Sequence, residues 1–199
     1  VANEVEICNA ALDLIGCSPI ENLTDPDSRE AETCNKHYAI QRDATLREYN
    51  WGFARTKPIA LTQLSETSDE YDYVYSYPLD CVEVREIFNP NKAHDDDLLP
   101  FARGISEDGS TLVIFTDEYQ AKAICTRRVT NAALFDPLFA DAFSLRLASK
   151  IAFPLKRDPE LARSLFQQYQ LYAGVAAAKS LNEQFKLPEP SNGYIDARQ

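Results

Sequence analysis

The sequence predicts an α+β protein: a helical bundle formed by the N- and C-terminal helices, with an antiparallel β-sheet or small barrel inserted between them. Three observations point there. Apolar residues recur at helical spacing near both ends of the 199-residue chain. The middle is instead built of short alternating runs broken by turn residues. It contains the dipeptide Asp108-Gly109 between two extended segments, a strong short-range hairpin signal. The expected organisation is residues 1–52 and 131–186 as one helical lobe, residues 53–130 as a β-rich lobe, and residues 187–199 as a docking tail.

The first helix is expected in VEICNAALDLIGCSP, where Val5, Cys8, Ala11, Leu12 and Ile15 fall on one face. Gly16 is placed to stop it, and Pro19 prevents resumption. DPDSREAE opens a second helix. Asp25 or Asp27 is positioned to cap it, Pro26 is tolerated in a first turn, and Asp27, Glu30 and Glu32 suit the positive end of its dipole. Ala31, Cys34, Tyr38, Thr45 and Tyr49 form its apolar face, and Trp51-Gly52 breaks the pattern.

In the β-rich block, FARTKPIALTQL reads as extended. YDYVYSYPLD reads as a strand with Tyr71, Tyr73, Tyr75 and Tyr77 on one face, as core packing or a subunit interface. In CVEVREIF, Val82, Val84 and Glu86 are expected to share a face. RGISEDGSTLVIF is the hairpin and YQAKAICTRRV a closing, alternating strand. Helical pattern then returns. Asp136-Pro137 opens a helix through LFADAFSLRLASKIAF that Pro154 is expected to stop. Asp158-Pro159 opens a long one carrying Leu161, Leu165, Tyr172, Val175 and Phe185. Its small-residue stretch AGVAAAKS permits close helix approach, within a monomer or across subunits. In the tail, Phe185, Leu187, Tyr194 and Ile195 are apolar residues suited to docking on a partner.

Composition narrows the functional classes. Twenty basic residues against 31 acidic ones give a net charge of −11, which repels nucleic acid over most of the surface. No apolar run approaches the roughly 20 residues of a membrane span. Glu4 and Glu6 stand where a signal peptide carries positive charge, so no export signal is expected. The chain has no methionine, as expected if an initiator was removed. Five cysteines (Cys8, Cys17, Cys34, Cys81, Cys125) without a CxxC pair suit free thiols in a reducing compartment.

No catalytic constellation is legible. The chain lacks P-loop, GxGxxG and GxSxG motifs and holds only six glycines. No enzymatic activity and no cofactor are therefore expected. The competing reading is a small intracellular metal-binding protein or thiol enzyme using Cys34 and His37, three residues apart on one helix face. The run His94, Asp95, Asp96, Asp97 lacks the ligand spacing and turn glycine of a calcium loop and reads as a solvated acidic loop. A base-stacking platform for the tyrosines is disfavoured because no Lys or Arg lies between Lys57 and Arg85.

The order of segments carries a resemblance. Leu14-Ile15-Gly16 with Pro19-Ile20 is followed by Trp51, Phe53, Ala54 and Leu61, then by Tyr77, Pro78, Asp80 and Cys81, and then by two long helices. Over nearly the whole chain this order resembles the head-to-tail adaptors of tailed bacteriophages, and within them the tubular tail protein A (gatekeeper ring) family of short-tailed phages. Each motif alone is weak; their order and spacing carry the likeness. Pro78 directly after Tyr77, with Leu79 next, departs from the family pattern at the strand end. The resemblance implies a virion neck protein assembled in the host cytoplasm as a homo-oligomeric ring of twelve. Such a ring binds the portal protein on one side and a tail nozzle or other tail protein on the other. DNA passes through its channel during ejection without sequence-specific binding.

Overall fold

The structure, a computed structural model, describes residues 3–90 and 98–182. Four α-helices and two three-stranded antiparallel sheets give the expected α+β fold. Helix α1 (Glu4–Leu14) begins with a capping box: Asn3 accepts from the Glu6 amide, and the Glu6 carboxylate accepts from the Asn3 amide. It ends as Gly16 predicted. Gly16 adopts φ +66°, its amide donates to Asp13 O and the Cys17 amide to Leu12 O, the paired bonds of a Schellman motif.

Helix α2 (Arg29–Glu48) is capped by Ser28 and not by Asp25 or Asp27; the Ser28 hydroxyl accepts from the Ala31 amide. Asp25 instead accepts from the Asp27 amide in the turn before the helix. Its buried face is Ala31, Cys34, Tyr38, Gln41, Arg42, Thr45 and Leu46.

Helix α3 (Pro137–Lys156) starts as expected, with Asp136 accepting from the Leu138 amide and Pro137 in the first turn. Pro154 does not stop it. Proline removes only the ladder bond of its own amide, and the helix runs on to a left-handed cap at Arg157, φ 57°. Helix α4 (Pro159–Asn182) is capped by Asp158, which accepts from the Glu160 and Leu161 amides. Leu165, Tyr169, Ala173, Ala176, Ala177 and Ser180 form its buried face, while Val175 is exposed. Phe185 lies outside the described residues.

Helix α3 is the centre of the bundle and packs on α1, α2 and α4. The core around it holds the aromatic set Phe135, Phe139, Phe143, Tyr38, Trp51 and Tyr169. Trp51 is fully buried, edge-on to Phe139 at 5.1 Å, with its indole N–H donating to Thr45 O at 2.9 Å.

The segment expected to be extended from Phe53 starts differently. Gly52–Ala54 is a 3-10 turn, and only Ile59–Ala60 (β1) of the remainder is strand. The turn forms because Phe53 enters the helical core, 5.0 Å from Phe139. The other strands are β2 (Tyr73–Ser76), β3 (Cys81–Ile87), β4 (Ala102–Ile105), β5 (Leu112–Thr116) and β6 (Lys122–Arg127). They form two sheets of order β1-β6-β3 and β2-β5-β4, where one sheet or a barrel was expected. The Asp108-Gly109 hairpin joins β4 to β5, with Ile105 opposite Leu112 and Gly109 at φ +71°.

Strand β6 is not a closing strand. It is the middle of its sheet, and Ala123, Ile124, Cys125 and Thr126 are all buried, so alternation is lost. A strand covered on both faces has no solvent side to keep polar. In β3 the buried positions are Cys81, Val84 and Ile87, every third residue and not the alternation expected of Val82, Val84 and Glu86. Register shifts between Cys81 and Glu83 and between Val84 and Glu86 insert the extra residues.

The two sheets share a second core containing Tyr75, Ile114, Cys81, Val84, Ile87 and Cys125. Tyr73 and Tyr77 pack against it. Tyr71 precedes the strand and stacks on Phe115 at 6.2 Å. Val82 packs instead against the helical core, so β3 faces both cores.

Candidate functional site

The turn Tyr77-Pro78-Leu79-Asp80-Cys81 separates two clefts, and its local chemistry explains its shape. Pro78 O accepts from the Cys81 amide, closing the turn. Asp80 O accepts from the Arg128 amide, and the Tyr77 hydroxyl accepts from the Val84 amide at 3.1 Å. Leu79 projects at the apex with 95% of its surface exposed. The first cleft, about 800 Å³, lies between α2 and the sheets and is lined by Asp43, Ala44, Arg47, Leu64, Arg103, Leu112 and Arg128 beside the turn. The second, about 690 Å³, runs along Phe53–Lys57 and reaches Cys125 and Arg127.

Charge in the first cleft opposes that of the chain. Glu83 pairs with Arg47 at 2.8 Å and with Arg103 at 3.4 Å. Asp43 pairs with Arg128 at 3.0 Å and with Arg42 at 2.8 Å. Nearby, Arg85 leaves β3 and caps the end of α2. Its Nη2 donates to Leu46 O, Arg47 O and Tyr49 O at 3.1, 2.9 and 2.6 Å, and its Nε donates to Thr126 Oγ1 at 2.7 Å. These carbonyls have no partner inside the helix, and a cation there opposes the helix dipole favourably. Arg55 and Glu86, 2.5 Å apart, add a half-buried pair beside the second cleft.

The thiols form two pairs. Cys81 and Cys125 line the second cleft on adjacent strands. Hydrogen bonding from Cys125 holds the Cys81 thiol below its usual pKa, and Cys125 is pushed up in turn. Burial pushes the neighbouring Tyr77 hydroxyl up to about 12. In the helical core, Cys34 meets Cys8, which lowers Cys34 and raises Cys8. His37 is half-buried, and burial, with Lys36 and Lys150 nearby, lowers its pKa. The structure therefore gives Cys34 a sulfur partner on α1, and no group of three or more metal-ligating side chains occurs among the described residues. His94, Asp95, Asp96 and Asp97 lie outside them.

Of the motif residues, Trp51, Phe53 and Ala54 lie in or against the helical core. Gly16 ends α1, and its carbonyl accepts from Lys156 Nζ at 2.7 Å. Pro19 is exposed, beside an Ile20 held by two hydrogen bonds to Asn9. Tyr77, Pro78, Asp80 and Cys81 form the turn between the clefts. Leu187, Tyr194 and Ile195 fall outside the described residues, as does Phe185. The arginines around the first cleft were not singled out from sequence. Their signal is weak: basic residues kept in an acidic chain, at positions 47, 103 and 128 that only the fold brings together.

Fold and site together define an α+β protein with two cores and a cleft at their junction; no helix among the described residues is long and apolar enough to cross a membrane. No family model matches the chain, and no curated protein matches it in sequence.

Proposed function

We propose that the protein is a structural virion component, a head-to-tail adaptor subunit that assembles into a ring of twelve beneath a phage portal, continues the DNA channel and receives a tail protein. The observation that carries this reading is the position of the motif residues. Trp51, Phe53 and Ala54 pin the start of the β-rich segment into the helical core, and Tyr77 to Cys81 shape the junction between the sheets and α2. Such positions suit residues that hold an architecture together. The net charge of −11 suits a channel through which DNA slides without adhering. Apolar residues of the tail, Tyr194 and Ile195, suit docking on a partner.

The test is co-expression with the cognate portal protein, followed by electron microscopy of the purified complex. A ring seated coaxially on the portal is expected. A chain that stays monomeric and joins neither portal nor tail overturns the reading.

A further inference from the structure

We propose that the cleft between α2 and the two sheets is a docking site for an extended acidic segment of a partner protein, one that carries an apolar side chain beside its carboxylates. Charge complementarity carries this inference. Among the described residues, the guanidiniums of Arg47, Arg103 and Arg128 line the cleft with one carboxylate, Asp43, and Glu83 pairs with two of them from beside it. The local excess is positive in a chain whose net charge is −11. Arg42 is buried and fixes Asp43 from behind. Arg47, Arg103 and Arg128 keep 52%, 36% and 43% of their side-chain surface exposed at the rim. An arginine fork has five N–H donors and matches a carboxylate in two-point geometry. The internal pairs with Glu83 and Asp43 leave these forks held in place and still facing solvent.

The cleft also has an apolar lining. Leu79, 95% exposed, and Leu112, 47% exposed, stand on it with Pro78 and Tyr77 between the two sheets. An isolated exposed leucine is ordinary. Two of them lining a concave 800 Å³ cleft together with Arg47, Arg103 and Arg128 form a surface with both halves of an acidic-apolar recognition motif. Nucleic acid is the weaker occupant, because the surrounding acidic surface repels a polyanion while a short segment meets only the local field. The inference does not rest on ring assembly, since binding is measured on the isolated chain.

The experiment is fluorescence anisotropy of the full chain with a labelled heptapeptide of alternating aspartate and leucine. A peptide with lysine in place of aspartate and a single-stranded oligothymidylate serve as competing probes. Saturable binding of the acidic peptide alone is expected. Arg103→Glu should weaken it at least about tenfold, and salt should weaken it further. Leu79→Asp should weaken it comparably; at 95% exposure this change leaves the fold intact. The proposal is overturned by absence of saturable binding, by equal binding of the lysine peptide, by preferential binding of the oligonucleotide, or by acidic-peptide binding that neither variant alters.

Discussion

Replacing Arg85 with methionine tests what joins the sheets to the bundle. The perturbation removes the guanidinium but keeps most of the aliphatic stem. Three bonds run from one nitrogen, Nη2, to the α2 carbonyls, and that nitrogen has only two hydrogens, so it supplies at most two full bonds. Nε adds the bond to Thr126. Net hydrogen bonds contribute about 1 kcal/mol each, and more when charged. Loss of two carbonyl bonds and the Thr126 bond therefore costs about 3 kcal/mol. For a chain of this size that is a fall in Tm of roughly 6–12 °C. The assay is urea unfolding followed by fluorescence of Trp51, the single tryptophan, which is fully buried in the helical core. Arg85→Lys should recover about half the loss, because an ammonium can reach the carbonyls but cannot also hold Thr126 through a second fixed nitrogen. A loss below about 1 kcal/mol for Arg85→Met, or full stability in Arg85→Lys, excludes this role of the guanidinium.

Other perturbations separate steric from conformational effects. A Cβ on Gly52 would sit 2.5 Å from the Ser180 carbonyl oxygen, so Gly52→Ala forces α4 outward and should cost about 1–3 kcal/mol in urea unfolding; an unchanged midpoint refutes the close approach. Gly16 has nothing within 4 Å of such a Cβ but sits at φ +66°, so Gly16→Ala should cost only the backbone term, about 1–2 kcal/mol. In the hairpin loop, hydrogen bonds from the Ser106 hydroxyl, then from the Ser110 amide and hydroxyl, hold Asp108 at about 2, below its ordinary 3.8. Its folded pKa is depressed, so its stabilisation is fully present above the ordinary value and is lost as pH falls through about 2. An NMR titration of the Asp108 carboxyl should find its midpoint there, and the acid-dependent shift of the Ser110 amide should vanish in Asp108→Asn. A midpoint near the ordinary value contradicts the loop geometry.

Legibility in the sequence followed the range of the interaction. Gly16, Asp136-Pro137, Asp158-Pro159 and Asp108-Gly109 act within a few residues, and each marks the boundary or turn that the structure contains. Where several local signals compete, spacing to the first free amides decides: Ser28 takes the cap of α2 and Asp25 is drawn into the preceding turn. Pro154 has the sequence signal of a breaker, yet a proline removes only the ladder bond of its own amide, and the residues after it continue the helix to the Arg157 cap. The larger misses are tertiary. The bulges of β3 suppress its alternation, and burial on both faces erases that of β6. No periodicity could reveal that two sheets form instead of one. The tyrosines were half legible: Tyr73, Tyr75 and Tyr77 do pack toward one core, but Tyr71 stands before the strand. The arginine cleft was invisible because its cations come from α2, β4 and the residue after β6.

The chain enters and leaves the β-rich region through neighbouring backbone. Arg55 bridges Thr126, the Thr56 amide donates to Cys125 O at 2.9 Å, and the Cys125 amide donates to Thr56 Oγ1 at 2.9 Å. Antiparallel partners of this kind stand about 5 Å apart at their Cα atoms, a gap that a two-residue turn can close. The fold thus has a seam at which some seventy intervening residues form a cassette. Trimming or exchanging the parts of that cassette that do not touch the bundle, with Val82 and Arg85 retained, alters what the molecule presents there while the helical core keeps its contacts. One scaffold can in this way be refitted to different partners by changes confined to a single stretch of its gene.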